Sequence, residues 1–279
     1  MFPILFQVGP FKVYSYGLML GIGFILGSYI LALEFKRKKI DPNMASTITV
    51  LAVVFGISGA KILFLIEEWK SFVRDPLGMA FSPGGLTWYG GFLLALAAVS
   101  IYVKRKKVPF LKVWDGLGVA LMLAYGVARL GCQFSGDGDY GFPTNLPWGT
   151  NYEHGTYPPS RAFAIFPEIA SKYPGGVVPD NTPCHPTPVY EMILGVIGFA
   201  ILWKLRKKDY PDGKLFMIYL MLAATFRFAV EFLRLNPRLL FGLSEAQLFS
   251  IVLFVLGFAG MVYFNRHRTP PEAAAQHHP

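Results

Sequence analysis

Arg227, Glu231 and Arg234 stand at i, i+4 and i+7 in FRFAVEFLR, a segment that is otherwise apolar. On a helix this spacing puts all three on one face and permits an internal arginine–glutamate pair. Lys61, Arg129 and Glu191 interrupt three other apolar stretches. A charge at the centre of a bilayer costs ~2.5 to 3.5 kcal/mol, so the set calls for an explanation. Guanidinium groups stay ionised and match phosphate oxygens in bidentate geometry. Two arginines on different helices exceed what the nearby acids need for pairing, which points to an anionic phospholipid head group as the missing partner. Charges that only lock a bundle together, or that snorkel to its surface, are the plainer reading.

The elements that must position these residues read as membrane spans. The chain is 53% hydrophobic and 15% charged, with a mean hydropathy of +0.43, too apolar for an ordinary soluble domain. Stretches near 14 to 34, 45 to 66, 86 to 103, 113 to 132, 188 to 205, 214 to 234 and 244 to 264 each approach the ~20 apolar residues a spanning helix needs. The expectation is an all-α polytopic bundle of about seven transmembrane helices. Lys36, Arg37, Lys38 and Lys39 follow the first span; Lys104, Arg105, Lys106, Lys107 and Lys112 the third; Lys204, Arg206, Lys207, Lys208 and Lys214 the fifth; Arg266 and Arg268 the seventh. Basic loops stay in the cytoplasm, so the N-terminus is expected outside and the C-terminus inside a bacterial inner membrane. The net charge of +9 is then mainly a topology signal, with attraction to anionic lipids secondary and no case for nucleic acid. By helical rise, Arg129 and Lys61 lie roughly 24 Å and Arg227 roughly 20 Å along their spans, all in the outer half. Tyr16, Tyr89 and Glu191 come to about the same level from helices running the other way.

The N-terminal MFPILFQVGPF has no basic n-region or cleavage site and reads as an interfacial segment. One domain, residues 1 to 268, is the economical organisation, followed by a disordered cytoplasmic tail at 269 to 279. The stretch from about 133 to 187 is too long for a linker and is expected to fold as a small outer head between spans four and five. Cys132 and Cys184 flank it; an oxidising compartment permits a disulfide, and two small buried residues is the equal alternative. Gly131, Gly136, Gly138 and Gly141 let the backbone turn tightly and approach a ligand, with Asp137 and Asp139 beside Arg129. There is no metal-ligand spacing and no nucleotide loop, so neither a metal nor another cofactor is expected. His185 and His154 have local hydrogen-bonding roles as their plainer reading.

GVARLGCQFSGDGDYGFPTNLPWG at 126 to 149 resembles the signature of the bacterial prolipoprotein diacylglyceryl transferases. VYSYGLML at 13 to 20, GGLTWYGGF at 84 to 92, HPTPVYE at 185 to 191, FRFAVEFLR at 226 to 234 and LSEAQLFS at 243 to 250 resemble further motifs of that family in the same order. The resemblance implies transfer of the diacylglyceryl group of phosphatidylglycerol to the lipobox cysteine of a preprolipoprotein signal peptide, within a membrane of lipid partners. It implies that Arg129 and Arg227 hold the phosphate, that Glu231 orients Arg227, and that Tyr16, Gly141, Arg234 and His185 help bind substrate. Many members carry histidine where this chain has Tyr89, asparagine where it has Cys132, and glutamate where it has Asp137. A histidine base is therefore not carried over; Asp137, Asp139 or the arginine field is left to deal with the thiol proton, with Tyr89 a poor base at its ordinary pKa of ~10. The rival reading is a protein that binds or translocates anionic phospholipid without transferring anything.

Overall fold

The computed structural model describes residues 1–9, 11–82 and 84–266. The expected tail at 269 to 279 lies outside the described residues. A short hairpin comes first, β1 (Ile4–Val8) against β2 (Phe11–Tyr14), followed by α1 (Ser15–Arg37), α2 (Asn43–Glu67), two short turns of helix α3 (Trp69–Phe72) and α4 (Pro76–Phe81), α5 (Trp88–Arg105) and α6 (Phe110–Ser135). After α6 come β3 (Thr150–Asn151), α7 (Pro159–Ala162), α8 (Pro167–Ala170) and β4 (Pro183–Cys184), then α9 (Thr187–Leu205), α10 (Lys214–Val230), β5 (Arg238–Leu240), β6 (Leu243–Ser244) and α11 (Glu245–Arg266).

Apolar composition makes these helices and punctuation ends them. Pro42 and Pro109 follow the basic ends of α1 and α5, Pro188 sits in the first turn of α9, and Gly213 turns with φ 92° before α10. Among the described residues, six helices are by length and composition clear candidates to cross a membrane: α1, α2, α6, α9, α10 with its extension to Leu233, and α11. The chain is an all-α multi-pass membrane bundle. The third of the seven expected spans forms as α5 but differs from the others. Its 18 residues cover about 27 Å, at the short end of the ~17 to 25 residues that span a bilayer. Trp88 and Tyr89 at one end and Lys104 and Arg105 at the other shorten its apolar part further.

The described chain forms two compact units, with α1 and α6 each passing from one to the other. Within 28 to 116, α2 packs along α5. Buried Asp115 pairs with Lys38 at 2.7 Å, and buried Glu34 with Arg37 at 2.8 Å. Lys61, expected among the functional charges, instead donates to the Ser82 carbonyl at 3.0 Å, the Ser82 hydroxyl at 2.9 Å and the Gly84 carbonyl at 2.8 Å. It ties down the loop after α4 by satisfying loop carbonyls at and beyond the helix cap.

The other unit, 1 to 27 and 117 onward, holds the arginines. Here α10 packs against both α9 and α11, and α6 meets α9 where Gly126 faces Gly195. A Cβ at Gly195 would come within 2.8 Å of the Gly126 Cα. The two backbones touch because neither residue has a side chain, the small-residue contact favoured between membrane helices. One turn further along each antiparallel helix, the contact brings Arg129 opposite Glu191.

Residues between α6 and α9 enclose their own core of Tyr140, Tyr152, Ala162, Phe163, Val178 and Cys184. The Tyr140 and Tyr152 rings stack at 4.1 Å, with their hydroxyls bonded to the Tyr157 carbonyl at 2.7 Å and to Gln133 at 2.8 Å. β3 and β4 tie the two ends of this segment together. The N-terminal hairpin is anchored beside it by Phe2 N–H donating to the Phe134 carbonyl at 2.8 Å. Cys132 and Cys184 are both buried free thiols.

The Gly126–Gly195 contact makes a prediction. Gly195→Ala forces α6 and α9 apart and costs about 1 to 3 kcal/mol of overpacking. Thermal unfolding in detergent should show a lowered midpoint; an unchanged midpoint contradicts the close approach.

Candidate active site

Three arginines and three carboxylates converge at one end of α6, α9 and α10. Arg129 pairs with Asp139 and, through Nε at 3.0 Å, with Glu191. Arg227 reaches Glu191 at 2.9 Å and Glu231 at 2.8 Å. Arg234 pairs with Asp139, lies 3.4 Å from Glu191, and has its Nε 3.7 Å from Glu231. Each acid touches at least two guanidiniums and each guanidinium at least two acids. The expectation of arginines in excess of their acids is thus corrected: three positive and three negative groups balance. The reason is Asp139, which comes in from the loop after α6, and Arg234, which brings a third cation.

Arg234 also departs from the helical face expected for it. α10 ends at Val230, a 3-10 turn runs over Glu231–Leu233, and Arg234 is extended at φ −89°, ψ 157°. It arrives in the cluster by leaving the helix. Its backbone bridges to Gly141, and Phe142 N–H donates to the Leu233 carbonyl at 3.0 Å. A Cβ at Gly141 would strike that same carbonyl and come within 2.9 Å of Thr187 and 3.1 Å of His185. The close approach that Gly141 permits is to protein backbone.

Glu191 is the hub, bound by all three arginines and 2% exposed. Tyr125 donates to it at 2.8 Å and lies with its ring under the Arg129 guanidinium, 4.8 Å to the centroid. Glu231 is fully buried and accepts from Ser244 at 2.7 Å and Asn236 at 2.5 Å as well as from arginine. Ser244 and Gln247 form a capping box at the start of α11. Ser244 N–H donates to the Gln247 Oε1 at 3.1 Å, and Gln247 N–H to the Ser244 Oγ at 3.3 Å. The Thr187 hydroxyl donates to the Asp139 carbonyl at 2.5 Å. Sequence reasoning did not single out Tyr125, Thr187, Ser244 or Asn236, nor Glu191 as the centre. Two signals were present: Tyr125 lies one turn before Arg129, and S-x-x-Q opens the LSEAQ segment.

The remaining expected residues are placed as follows. Tyr16, half-exposed at the start of α1, has its backbone against α6, where a Cβ at Gly131 would come within 3.2 Å of the Tyr16 Cα. Tyr89 lies in the first turn of α5, 45% exposed. The His185 imidazole meets the Tyr190 hydroxyl at 3.3 Å, which in turn accepts from the Trp148 indole at 2.8 Å. Burial pushes the proton affinity of that imidazole down. Its backbone braces Gly141, accepting from Gly141 N–H at 2.9 Å.

Asp137 and Asp139 are pushed in opposite directions. Burial first, then the neighbouring Asp139 charge, raises Asp137 above the usual carboxylate range. Burial also opposes ionisation of Asp139, but the Arg234 and Arg129 guanidiniums outweigh it and hold this carboxyl at about 2. Cys132 lies beside both acids, and its sulfur accepts from the Arg129 guanidinium at 3.7 Å. Its sulfur and one oxygen of each acid lie within 4.8 Å of one another. Both Asp139 oxygens face guanidiniums, so the trio is a poor ligand set for a cation. Two carboxyls with separated proton affinities side by side are suited to dividing acid–base work.

Fold and centre together define a polytopic membrane protein with a buried guanidinium–carboxylate network. The chain belongs to the prolipoprotein diacylglyceryl transferase family, whose sequence profile matches residues 3–263. Among its relatives, a phosphatidylglycerol–prolipoprotein diacylglyceryl transferase of Clostridium tetani is 28% identical over 259 residues, 92% of this chain and 95% of the relative. Proteins of the same name from Gloeobacter violaceus and Trichormus variabilis are 29% and 28% identical, covering 97% and 96% of this chain and 96% and 91% of their own.

Two predictions follow from the network. Glu191→Ala leaves buried guanidiniums uncompensated and should cost about 3 to 5 kcal/mol, read as a large loss of thermal stability; a loss near zero would mean that Glu191 holds nothing. Asp139 has a folded-state pKa below its unfolded value, so its contribution is present above the unfolded pKa and lost as pH falls from about 4 towards about 2. Asp137, raised, acts with the opposite sign. Asp139→Asn should flatten the acid limb of the stability–pH curve, and a variant with an unaltered limb would remove Asp139 from the balance.

Proposed function

We propose that this chain transfers the diacylglyceryl group of phosphatidylglycerol to the cysteine thiol of a preprolipoprotein lipobox. The thiolate sulfur attacks the glyceryl carbon, the carbon–oxygen bond to phosphate breaks, and glycerol 1-phosphate departs with the electron pair. A thioether forms. The carrying observation is membership in the transferase family combined with three guanidiniums clustered around Glu191.

Arg129 and Arg227 hold the phosphate in this reading and stabilise charge on the leaving group, a task worth several kcal/mol in a dry site. Their side chains remain 19% and 24% exposed, against 8% for Arg234. A guanidinium carries five N–H donors, and the carboxylates fix its plane while using only part of them. Glu231 and Arg234 keep Arg227 and Asp139 in register. Asp137 takes the thiol proton, because its raised proton affinity suits a base better than that of Asp139. Tyr16 and His185 belong to the substrate-binding surface, whereas Gly141, buried against the Leu233 carbonyl, lets the backbone that carries Arg234 lie close. The N-terminus and the head at 133 to 187 face outward and the C-terminus the cytoplasm, where the basic loops belong.

Purified protein incubated with phosphatidylglycerol and a lipobox peptide should add one diacylglyceryl group to the peptide cysteine, read by mass. Lipid binding without the thioether would leave the binding or translocating alternative. The wild-type rate should rise with pH through a limb above the usual carboxylate range, and Asp137→Asn should lower it by about a hundredfold or more and abolish that limb. Tyr89→Phe should retain the limb. An Asp137→Asn enzyme with the wild-type profile would exclude Asp137 as the base.

A further inference from the structure

Two basic turns of nearly the same sequence line one cavity. KRKKI at 36 to 40 leaves α1, and KRKKV at 104 to 108 leaves α5. Between them lies a cavity of about 330 Å³ lined by Lys38, Lys39, Lys106, Lys107 and Lys112, with Asp41 the acid among its lining residues. All belong to the unit formed by 28 to 116.

The backbone of these turns is unusual. Lys39 and Lys107 have φ of 58° and 54°, two of three non-glycine residues with positive φ among those described. Both occupy the position after a helix where glycine is normally found, since a Cβ is disfavoured there. The first turn closes with Ile40 N–H donating to the Phe35 carbonyl at 2.8 Å, and the second with Lys107 N–H donating to the Lys104 carbonyl at 3.1 Å. Lysine thus stands twice, on the same cavity, where the backbone alone would favour glycine.

Neighbouring acids do not neutralise the cavity. Asp115 offsets Lys38, Glu34 is taken by Arg37, and Asp41, which accepts from Asn43 N–H at 3.0 Å, is one acid among five lining lysines. Two helix ends and two helix starts meet here, so their dipoles offset and the ammonium groups set the sign. Lys39, Lys106 and Lys107 are exposed. A plain flank of basic residues that fixes topology would need neither the cavity nor the two left-handed lysines.

We infer that this cavity is a second anion site, separate from the transferase centre, which binds a phosphate group through Lys39, Lys106 and Lys107. The phosphate belongs to an anionic lipid head group or to a free phosphate ion, and the same ammonium chemistry serves both. The inference stands whether or not the chain carries out the transfer proposed above.

The test uses the full chain in detergent and two double variants. Lys39→Gly with Lys107→Gly removes two ammonium groups and relieves the backbone, so its melting temperature should equal or exceed that of the wild type. Lys39→Gln with Lys107→Gln removes the same charges and keeps side chains. Native mass spectrometry with added phosphatidic acid or phosphatidylcholine reads lipid retention. With roughly fivefold in binding for each basic residue near an anionic head group, both variants should hold phosphatidic acid roughly twenty-five-fold more weakly, with phosphatidylcholine unchanged. A melting-temperature rise with inorganic phosphate in the wild type alone, at equal lipid retention, would assign the cavity to the free ion. Equal retention and equal phosphate response in all three proteins would overturn the inference. Peptide lipidation at saturating phosphatidylglycerol should be the same in all three, so a defect at the transferase centre reads separately.

Discussion

Glu191 is a single carboxylate in contact with three guanidiniums, and the architecture around it follows from the need to put it there. A buried charge is tolerated when paired and hydrogen-bonded and is costly otherwise. α9 therefore has to run against α6 closely enough for Glu191 to reach Arg129, and the Gly126–Gly195 contact makes that spacing. α10 has to stop at Val230 so that Arg234 can turn in, and Gly141 has to lack a side chain so that the backbone carrying Arg234 can lie against the loop. Asp139 supplies the last negative charge. Taken singly, these contacts are ordinary packing. Together they neutralise three arginines in a place where water is scarce.

A balanced cluster differs in chemistry from a bare cationic cavity. Bare guanidiniums held together would repel one another and present a moving target. Carboxylates that grip each fork fix it in plane and leave its other N–H groups pointing where the frame dictates, which is preorganisation in the electrostatic sense. The more exposed side chains of the set, Arg129 and Arg227, are those with room for another anion. The acids at the α6 end divide similarly. Asp139 is held ionised by its arginines, whereas Asp137, one turn of loop away, keeps its proton more readily.

Much of this was legible in the chain. Apolar length marked the helices, basic clusters marked the loops, and the spacing of Arg227 and Glu231 foretold a pair that the structure contains at 2.8 Å. What was not legible came from chain leaving regular structure. Helical periodicity cannot foresee the 3-10 turn that redirects Arg234. Asp139 was visible beside Arg129 in sequence, but its second partner, Arg234, was not. Lys61 looked like a member of the cluster because depth along a helix is visible in sequence while the neighbour it meets is not; its neighbours are the carbonyls after α4.

The Ser244 hydroxyl serves two masters, capping α11 and bonding the buried Glu231. That sharing bears on how the protein is made. As the chain emerges, α10 presents Arg227 and Glu231 to the insertion machinery before α11 exists, and an arginine facing lipid is expensive. Its partner Glu191, on the preceding helix, is already synthesised, so α9 and α10 can leave the translocation channel as a neutralised pair. α11 then docks last, its first turn completed by an acid that the earlier helices have already brought into place. Arg129, made earlier on α6, has its first counterpart in Asp139, ten residues further along the chain, and meets Glu191 only once α9 arrives.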